Sequence, residues 1–340
     1  MKIVNITHPS RPGMIVTQGL LNLGFPFASS EEFSSASGIL KEPDRQIVSR
    51  LSEADIIFFD CFASAQVDGD SPIVGSERKR FAKIFRELDL WDRVLVYDFR
   101  DDWTIDDRLG RARRYFKRSI TKNREWISEI GKVRPIQYCV LDEMCCERSS
   151  RRHFSVGCFF NSTGWIGGER RAQMLRELLR HQHRFPNNLI GSTTGSIGEQ
   201  RRRSISAGMG PYVRYRRLLC DTKIVFTAEP GDVEGDNRVW EAIAAGALVF
   251  RDVSRLMSVC PNPLIDGIHC IEFDASSSSG ILEAIERAAF YLANETQRAE
   301  IAMNGLDFAL KFHRPRNRVM QMVEETGIFR KLAEGQLPQN

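Results

Sequence analysis

Hydrophobic and polar positions along the chain form blocks that predict short buried strands separated by amphipathic helices. Compact runs of apolar, β-branched and aromatic residues predict strands at residues 2–6, 54–60, 93–98, 154–160 and 223–227. Helical periodicity is clearest at residues 76–88, where Phe81, Ile84, Phe85 and Leu88 share one face. Alternating strands and helices predict an α/β fold with mostly parallel sheets.

Weaker patterns extend this alternation over the rest of the chain. Further strands are predicted at residues 136–141, 188–191, 247–250 and 268–273. Further helices are predicted at residues 14–23, 46–54, 108–118, 169–181, 238–245, 280–292 and, as a tail of several helices, 296–334. Residues 28–44 are predicted to form a loop, and residues 192–209 a polar insertion.

The chain of 340 residues is long enough for two domains. A polar, charged stretch at residues 147–153 separates two series of alternating strands and helices. We therefore predict two doubly wound, Rossmann-like domains facing a cleft, at residues 1–147 and 153–314, followed by a C-terminal helix and tail at residues 315–340. Ligands of such sheets bind beyond the carboxyl ends of the strands. The first strand–helix turn lacks a G-x-G-x-x-G sequence, which disfavours a dehydrogenase.

Composition is that of an ordinary globular protein. Hydrophobic residues make up 42% of the chain and the mean hydropathy is −0.30, which provides apolar mass for two cores. No apolar run reaches about 18 residues, the length at which a membrane helix is expected. Residues 1–8 lack the long apolar core of a signal peptide. The predicted location is cytoplasmic.

The eight cysteines are scattered, without a C-x-x-C pair. Cys139 and Cys158 lie inside apolar runs, where a free cysteine behaves as a small hydrophobic residue. The adjacent Cys145 and Cys146 are candidates for a metal or redox site, but no second ligand pair has zinc-like spacing. We predict that the cysteines are structural and reduced.

Charge is modest in total but uneven. The formal net charge is +4, and arginine clusters lie in the middle of the chain at residues 111–114, 151–152, 170–171, 201–203 and 214–217. Such clusters suit a phosphate-bearing ligand, an anionic acceptor or nucleic acid. They are equally compatible with solvated helix faces.

The most informative stretch runs from residue 223 to residue 252. An acidic, glycine-rich loop ends at Asp236 or Asn237, either of which can cap the helix that begins at Arg238. The free N–H groups of a helix N-terminus and the guanidinium of Arg238 both suit a phosphate. Glu241, three residues later on the same face, suits sugar hydroxyls. The stretch therefore provides both halves of a nucleotide-sugar site, although Arg238 and Glu241 could instead pair on a solvent-facing helix.

Residues 237–249, Asn-Arg-Val-Trp-Glu-Ala-Ile-Ala-Ala-Gly-Ala-Leu-Val, resemble the donor-site segment of GT-B glycosyltransferases. The similarity is to the group 1-like members, and within them to the exostosin-like and spore-maturation-type branch. In that family the carboxylate at the position of Glu241 holds the donor ribose, and the arginine before it lies near the diphosphate. The common pattern has a second glutamate, where Val233 stands in this chain, with Glu229 and Glu234 nearby.

The resemblance implies a hexosyltransferase or pentosyltransferase of GT-B architecture whose C-terminal helix returns to the first domain. It also implies a nucleotide-diphosphate sugar as co-substrate, UDP-linked or GDP-linked in the first instance, with no metal or other cofactor. The expected acceptor is a hydroxyl of a glycan, a small molecule or a modified DNA base. The candidate donor-binding residues are Arg238, Glu241, Asn237, Asp236, Lys223, Asn161, Arg170 and Thr227.

Candidates for acid–base chemistry come from the first domain. Asp60 and Asp98 end predicted strands, and His8 follows the first strand. Each has a structural alternative, since Asp60 could cap a helix, Asp98 could pair with a neighbouring arginine, and His8 could only pack. If the enzyme retains the anomeric configuration, no base is needed and these residues bind the acceptor. The candidate acceptor-side residues are Ser10, Arg11 and Asp102.

Three other interpretations remain open. A GT-A-like metal site would use paired carboxylates such as Asp68 and Asp70. Nucleic-acid binding would use the arginine clusters with the aromatic residues among them, Tyr115, Phe116, Tyr212 and Tyr215. A non-catalytic protein of the same fold would bind a nucleotide sugar without transferring it.

Overall fold

The computed structural model describes thirteen stretches of the chain. They are 1–7, 11–30, 44–61, 72–100, 104–106, 109–118, 120, 131–146, 152–160, 168–192, 211–229, 237–253 and 261–327. The chain divides into two compact units. The first contains Met1–Ile120, Arg124–Tyr138 and Arg314–Asn340, and the second contains Thr121–Asn123 and Cys139–His313. The boundary between Tyr138 and Cys139 lies earlier than the predicted one at residue 147.

The described residues contain eleven strands and nine α-helices. The strands are β1 Ile3–Ile6, β2 Phe27–Ser29, β3 Ile56–Asp60, β4 Val94–Asp98, β5 Arg114–Lys117, β6 Val133–Pro135, β7 Phe154–Phe160, β8 Leu189–Ser192, β9 Thr222–Thr227, β10 Leu248–Asp252 and β11 Ile271–Phe273. The helices are α1 Arg11–Asn22, α2 Asp44–Leu51, α3 Pro72–Glu87, α4 Gly168–Arg180, α5 Pro211–Cys220, α6 Asn237–Ala244, α7 Ser278–Ala293, α8 Glu295–Phe312 and α9 Pro315–Glu324.

The first unit is built on a six-stranded parallel sheet in the order β2-β1-β3-β4-β5-β6. Every residue of β3 and β4 is buried, as expected for central strands of a parallel sheet that carries helices on both faces. Phe59 of β3 packs edge-on against Phe85 of α3, with ring centroids 5.5 Å apart. The predicted apolar face of this helix is therefore confirmed, except that Leu88 is 44% exposed just beyond the helix end.

The C-terminal helix α9 packs against α1 of the first unit, as the predicted return requires. Gly19 permits the close approach, because a Cβ atom there would lie 2.6 Å from the carbonyl oxygen of Pro315. Arg318 of α9 donates through Nε to the carbonyl of Gln137, 2.9 Å away. Beyond the helix, Arg134 donates to Glu325 over 3.1 Å.

The second unit is built on a five-stranded parallel sheet in the order β11-β10-β9-β7-β8. Its core lies between the sheet and helices α4, α7 and α8. Phe226 of β9 stacks on Phe250 of β10, with ring centroids 4.7 Å apart. Helix α6 ends before Gly246, whose φ of +69° is the left-handed conformation typical of a glycine that follows a helix.

Three predicted elements are wrong. The basic helix predicted at residues 108–118 is replaced by strand β5, in which Tyr115 and Phe116 are buried beside β4. The strand predicted at residues 136–141 lies three residues earlier, as β6. Strand β2 lies at the start of the predicted loop 28–44, where a three-residue strand gives too short a pattern to detect.

The prediction that all cysteines are reduced is wrong for one pair. Cys146 and Cys220 form a disulfide within the second unit, with Cα atoms 6.0 Å apart. Their separation of 74 residues left no local signal in the sequence. Cys139 and Cys158 are free and buried, as predicted.

Within the described part of the chain, no helix combines the length and the apolar character needed to cross a membrane.

Candidate functional site

The first two turns of α6 place three polar side chains, Asn237, Arg238 and Glu241, at the carboxyl end of the sheet in the second unit. Glu241 is 4% exposed. Its Oε1 accepts a hydrogen bond from Asn237 Nδ2 at 3.2 Å, and its Oε2 accepts one from the hydroxyl of Tyr215 at 2.6 Å. A carboxylate this deeply buried does not lie on a solvent-facing surface, as the ion-pair alternative required.

Arg238 is fixed at the end of β7. Its Nε donates to the carbonyl of Phe159 over 2.7 Å, which orients the planar guanidinium. The ring of Phe159 packs edge-on against the ring of Tyr215, with centroids 5.9 Å apart and planes at 81°. Tyr215 thus contacts both Glu241 and the residue that holds Arg238.

A second polar group surrounds Asp252 at the end of β10. The buried carboxylate accepts hydrogen bonds from Arg170 Nη1 at 3.2 Å, from the backbone N–H of Glu229 at 3.4 Å and from that of Ala275 at 3.2 Å. Arg170 belongs to the first turn of α4, so this ion pair fixes the helix start against the sheet. The backbone of the loop after β9 is held by the same carboxylate.

Parallel pairing explains why these groups lie at one edge. Strands β7, β9 and β10 run in the same direction, so their carboxyl ends meet at one side of the sheet. Arg238, Glu241, Asn237, Arg170 and Thr227 all lie at or beyond these ends. Thr227 is buried and donates to the carbonyl of Phe250 over 3.2 Å, which makes it part of the sheet edge.

Lys223 is not brought to this edge. It lies near the amino end of β9, four residues before Thr227, which corresponds to about 13 Å along a strand. Its ammonium group pairs with Glu295 over 3.0 Å. Asn161 and Asp236, the remaining donor-binding candidates, lie outside the described residues.

In the first unit, Asp98 is held by cations. Arg100 donates to its carboxylate through Nε at 3.0 Å and Nη2 at 2.8 Å, Tyr115 donates through its hydroxyl at 2.5 Å, and Lys117 Nζ lies 3.4 Å away. Burial alone raises the pKa of Asp98, but the positive charges of Lys117 and Arg100 outweigh it and hold this pKa well below its usual range. The predicted pairing with a neighbouring arginine is confirmed, and so low a pKa suits a base poorly.

Asp60 has a different environment. It is the fully buried last residue of β3, and its Oδ2 accepts a hydrogen bond from Thr7 Oγ1 at 3.3 Å. Tyr97 in turn donates to Thr7 Oγ1 over 3.0 Å. Burial, and then the negative charge of Asp60, raise the pKa of Tyr97 well above its usual value. A chain of polar groups thus leads from Tyr97 through Thr7 to Asp60.

The other first-domain candidates are only partly described. Arg11 is the first residue of α1 and is half-buried. His8, Ser10 and Asp102 lie outside the described residues, as do the carboxylates Asp68 and Asp70 of the metal-site alternative. Among the residues that the structure describes, no three histidine, cysteine or acidic side chains converge as metal ligands do.

Sequence reasoning missed the role of Tyr215. It noted this residue only as an aromatic side chain among arginines, and its contact with Glu241 spans 26 positions. Phe159 was missed because it acts through its backbone carbonyl, which has no sequence signature. A local motif could identify Arg238 and Glu241 but not the groups that hold them.

The C-terminal half of the chain is similar to a known family, and the whole chain is similar to solved structures. Residues 170–324, which run from the first turn of α4 to the end of α9, match the family described as glycosyl transferase-like. Solved structures of GT-B glycosyltransferases match nearly the whole chain. Residues 170–324 are thus similar to a glycosyl transferase-like domain, and the chain has the GT-B fold. None of the curated proteins matches it closely enough in sequence to count as a relative.

Three solved structures illustrate the likeness in fold. A glycosyltransferase from Rickettsia africae ESF-5 is 11% identical with a TM-score of 0.51, covering 97% of this chain and 98% of its own. An alpha-glucosyltransferase solved with UDP-glucose and DNA containing an abasic site is 9% identical with a TM-score of 0.59, covering 96% and 99%. Anabaena Alr3699/HepE, solved with UDP-glucose, is 11% identical with a TM-score of 0.55, covering 95% and 98%.

Identities this low establish the fold and not the substrates. The GT-B fold predicted from the sequence is confirmed, including the two parallel sheets flanked by helices. The assignment to the exostosin-like branch stays a prediction.

Proposed function

We propose that this chain is a glycosyltransferase that moves a sugar from a nucleoside-diphosphate sugar to an acceptor hydroxyl, without a bound metal. The observation that carries the proposal is the pair Arg238 and Glu241 in the first two turns of α6, one oriented by a carbonyl and the other by two neutral donors. A UDP-linked donor is favoured because two of the similar structures were solved with UDP-glucose. A GDP-linked donor is the next candidate.

Arg238 is the proposed diphosphate-binding residue. Its guanidinium presents a rigid, planar set of donors, which matches phosphate oxygens. Negative charge grows on the diphosphate as the bond to the sugar breaks, and a well-placed donor stabilises such charge by about 3–4 kcal/mol. Arg170 and Asn237 lie at the same edge and are assigned supporting roles, as is Asp236 from its sequence position.

Glu241 is the proposed ribose-binding residue. Its carboxylate accepts one hydrogen bond from Tyr215 and one from Asn237, and both of these donors are neutral groups that orient it. Hydrogen bonds from ribose hydroxyls to a charged acceptor of this kind are stronger than those between neutral groups.

Acceptor activation is assigned to the first unit. In an inverting reaction, a base takes the proton of the acceptor hydroxyl as that oxygen attacks the anomeric carbon and the diphosphate leaves. The surroundings of Asp60 favour it over Asp98, because lysine and arginine already stabilise the ionised form of Asp98. His8 stays a second candidate for the base, and Ser10, Arg11 and Asp102 stay candidates for acceptor contacts. A glycan or small-molecule acceptor and a cytoplasmic location complete the proposal.

Nucleic acid is a less favoured acceptor. One of the similar structures was solved with DNA, which is a property of that protein. In this chain, several described members of the arginine clusters bind groups inside their own units: Arg114 pairs with Glu325, Arg170 with Asp252, and Arg216 donates to the carbonyl of Cys145. A DNA contact would give an affinity that falls linearly in log salt concentration, and absence of binding at low salt would remove this alternative.

A thermal-shift titration tests the donor assignment. The panel contains UDP, GDP, ADP, TDP and CMP with their common sugars, each measured with and without EDTA. A ligand at 100 times its dissociation constant stabilises the folded protein by about 2.7 kcal/mol. The proposal predicts a shift from one nucleoside diphosphate that EDTA leaves unchanged. A shift that EDTA abolishes contradicts metal independence, and no shift from the whole panel contradicts donor binding.

A further inference from the structure

The hydroxyl of Tyr215 links helix α5 to helix α6 by a hydrogen bond. Tyr215 lies in the middle of α5 and is 9% exposed, and its Oη donates to Glu241 Oε2 of α6 over 2.6 Å. The bond is short and involves a charged acceptor, which makes it one of the stronger classes of hydrogen bond. It fixes one of the two oxygens of the carboxylate.

The second oxygen is fixed from within α6. Asn237 Nδ2 donates to Glu241 Oε1 over 3.2 Å, one helical turn before it. With one donor on each oxygen, both the position and the plane of the carboxylate are set.

The ring of Tyr215 also contacts Phe159, the residue whose carbonyl binds Arg238. It packs edge-on against Phe159, 5.9 Å between centroids, and the carbonyl of Phe159 accepts the Nε hydrogen of Arg238 over 2.7 Å. One side chain therefore contacts Glu241 through its hydroxyl and the anchor of Arg238 through its ring. A Tyr215→Phe change separates these two contacts, because it removes only the hydroxyl.

We propose that Tyr215, assisted by Asn237, is a positioning residue that aims the carboxylate of Glu241 at the ribose hydroxyls of the donor. This inference rests on the proposed function. If the hydroxyl of Tyr215 orients the carboxylate of Glu241, it contributes to the preference of the site for a ribonucleotide over a deoxyribonucleotide. A merely structural tyrosine would not affect that discrimination.

The test compares dissociation constants for UDP and its 2′-deoxy and 3′-deoxy analogues by calorimetry, or for the corresponding set of whichever diphosphate binds. The proteins are the full chain, Tyr215→Phe, Asn237→Ala and the control Tyr291→Phe. Tyr291 is also buried in the second unit, at 8% exposure, but packs on Phe250 in the core. Thermal melts report whether each variant is folded.

The expected result is that Tyr215→Phe weakens UDP binding about tenfold, the effect of one lost hydrogen bond to a charged group. The affinities for the deoxy analogue that lacks the recognised hydroxyl should change much less, so the preference for ribose falls. Asn237→Ala should lower the same preference, and Tyr291→Phe should leave it unchanged. Equal weakening of all three ligands by Tyr215→Phe, or no weakening, overturns the inference.

Failure of the inference and failure of the proposed function give different results. If the unaltered protein binds no nucleoside diphosphate, the proposed function fails and the inference falls with it. If the unaltered protein binds UDP and Glu241→Gln removes the preference for ribose while Tyr215→Phe retains it, only the positioning role is overturned. If Tyr215→Phe does not fold, Asn237→Ala provides the test, because the proposal requires both donors. The quantity compared is again the ratio of the affinities for UDP and for its deoxy analogue.

Discussion

Tyr115 donates a 2.5 Å hydrogen bond to the carboxylate of Asp98, and both side chains are buried in the sheet of the first unit. The two residues lie on the neighbouring strands β4 and β5, whose pairing sets Tyr115 opposite Val96 and Lys117 opposite Asp98. Lys117 and Arg100 complete the surroundings of the carboxylate. The network therefore connects β5, a strand that the sequence did not predict, to β4 in the middle of the sheet.

Removing the charge of Asp98 should destabilise the first unit. Asp98→Asn leaves the buried cations without their anion, a change that typically costs about 3–5 kcal/mol. Denaturant unfolding followed by tryptophan fluorescence measures the loss. The control is Asp92→Asn, at an exposed position in the same unit. Equal stability of Asp98→Asn and the unaltered protein would contradict the ion-pair account.

The lowered pKa of Asp98 predicts that the stability of the fold depends on pH. The pKa of Asp98 is lower in the folded protein than its ordinary value of about 3.9 in an unfolded chain. Its ionisation therefore stabilises the fold above about pH 4, and this contribution is lost as the pH falls through the folded-state pKa. Stability measured from neutral to acidic pH should show a smaller acid loss in Asp98→Asn. Identical acid profiles would contradict the assignment.

Asp60 should affect turnover rather than donor binding. If it is the base of an inverting reaction, Asp60→Asn lowers kcat by about 10²–10⁴-fold, the usual contribution of general base catalysis. The dissociation constant of the nucleoside diphosphate should not change, because the donor residues lie in the second unit. Steady-state kinetics with a UDP-sugar and calorimetry with UDP separate the two. An unchanged kcat would rule out this base.

Reduction of the disulfide should raise the number of titratable thiols by two. Titration of the denatured protein with and without prior reduction measures it directly, since Cys146 and Cys220 react only after reduction. Replacing both by serine should lower the free energy of unfolding by about 2–4 kcal/mol. Equal thiol counts before and after reduction would show that the bond is not formed in solution.

Much of the fold could be predicted because its strands are apolar and local. Residues 56–60 and 94–98 are continuous hydrophobic runs that end in an aspartate, and the structure places strands there. Strand β5 was missed because its sequence, Arg-Tyr-Phe-Lys, has cations at both ends. These charges are accommodated by Asp98 and other groups distant in sequence, which no local pattern shows.

In the candidate site, too, the sequence predicted the residues of a local motif but not those that reach the site through contacts distant in sequence. Arg238 and Glu241 were predicted because loop, cap and helix follow one another within a few residues. Lys223 was expected at the site because it precedes the same loop, but the length of β9 carries it to the opposite end of the sheet. Tyr215 and Phe159 reach the site through contacts between elements, so only the structure could identify them.

Loss of Glu241 should weaken donor binding without unfolding the protein. Glu241→Ala removes a charged acceptor from the proposed ribose contact, which typically costs about 1–3 kcal/mol. Calorimetry with UDP measures the effect, and Glu283→Ala, at an exposed position of α7 in the same unit, is the matched control. Unchanged UDP affinity in a folded Glu241→Ala variant would remove the ribose assignment.

The central claim, that α6 presents Arg238 to a donor diphosphate, is tested most directly by the UDP affinity of Arg238→Ala. Calorimetry compares this variant with the unaltered protein and with Arg176→Ala, which removes an exposed arginine of α4 in the same unit. The account predicts that Arg238→Ala weakens UDP binding by about 10–100-fold, as expected for lost charge-assisted hydrogen bonds, and that Arg176→Ala does not. Equal UDP affinity in all three proteins would contradict it.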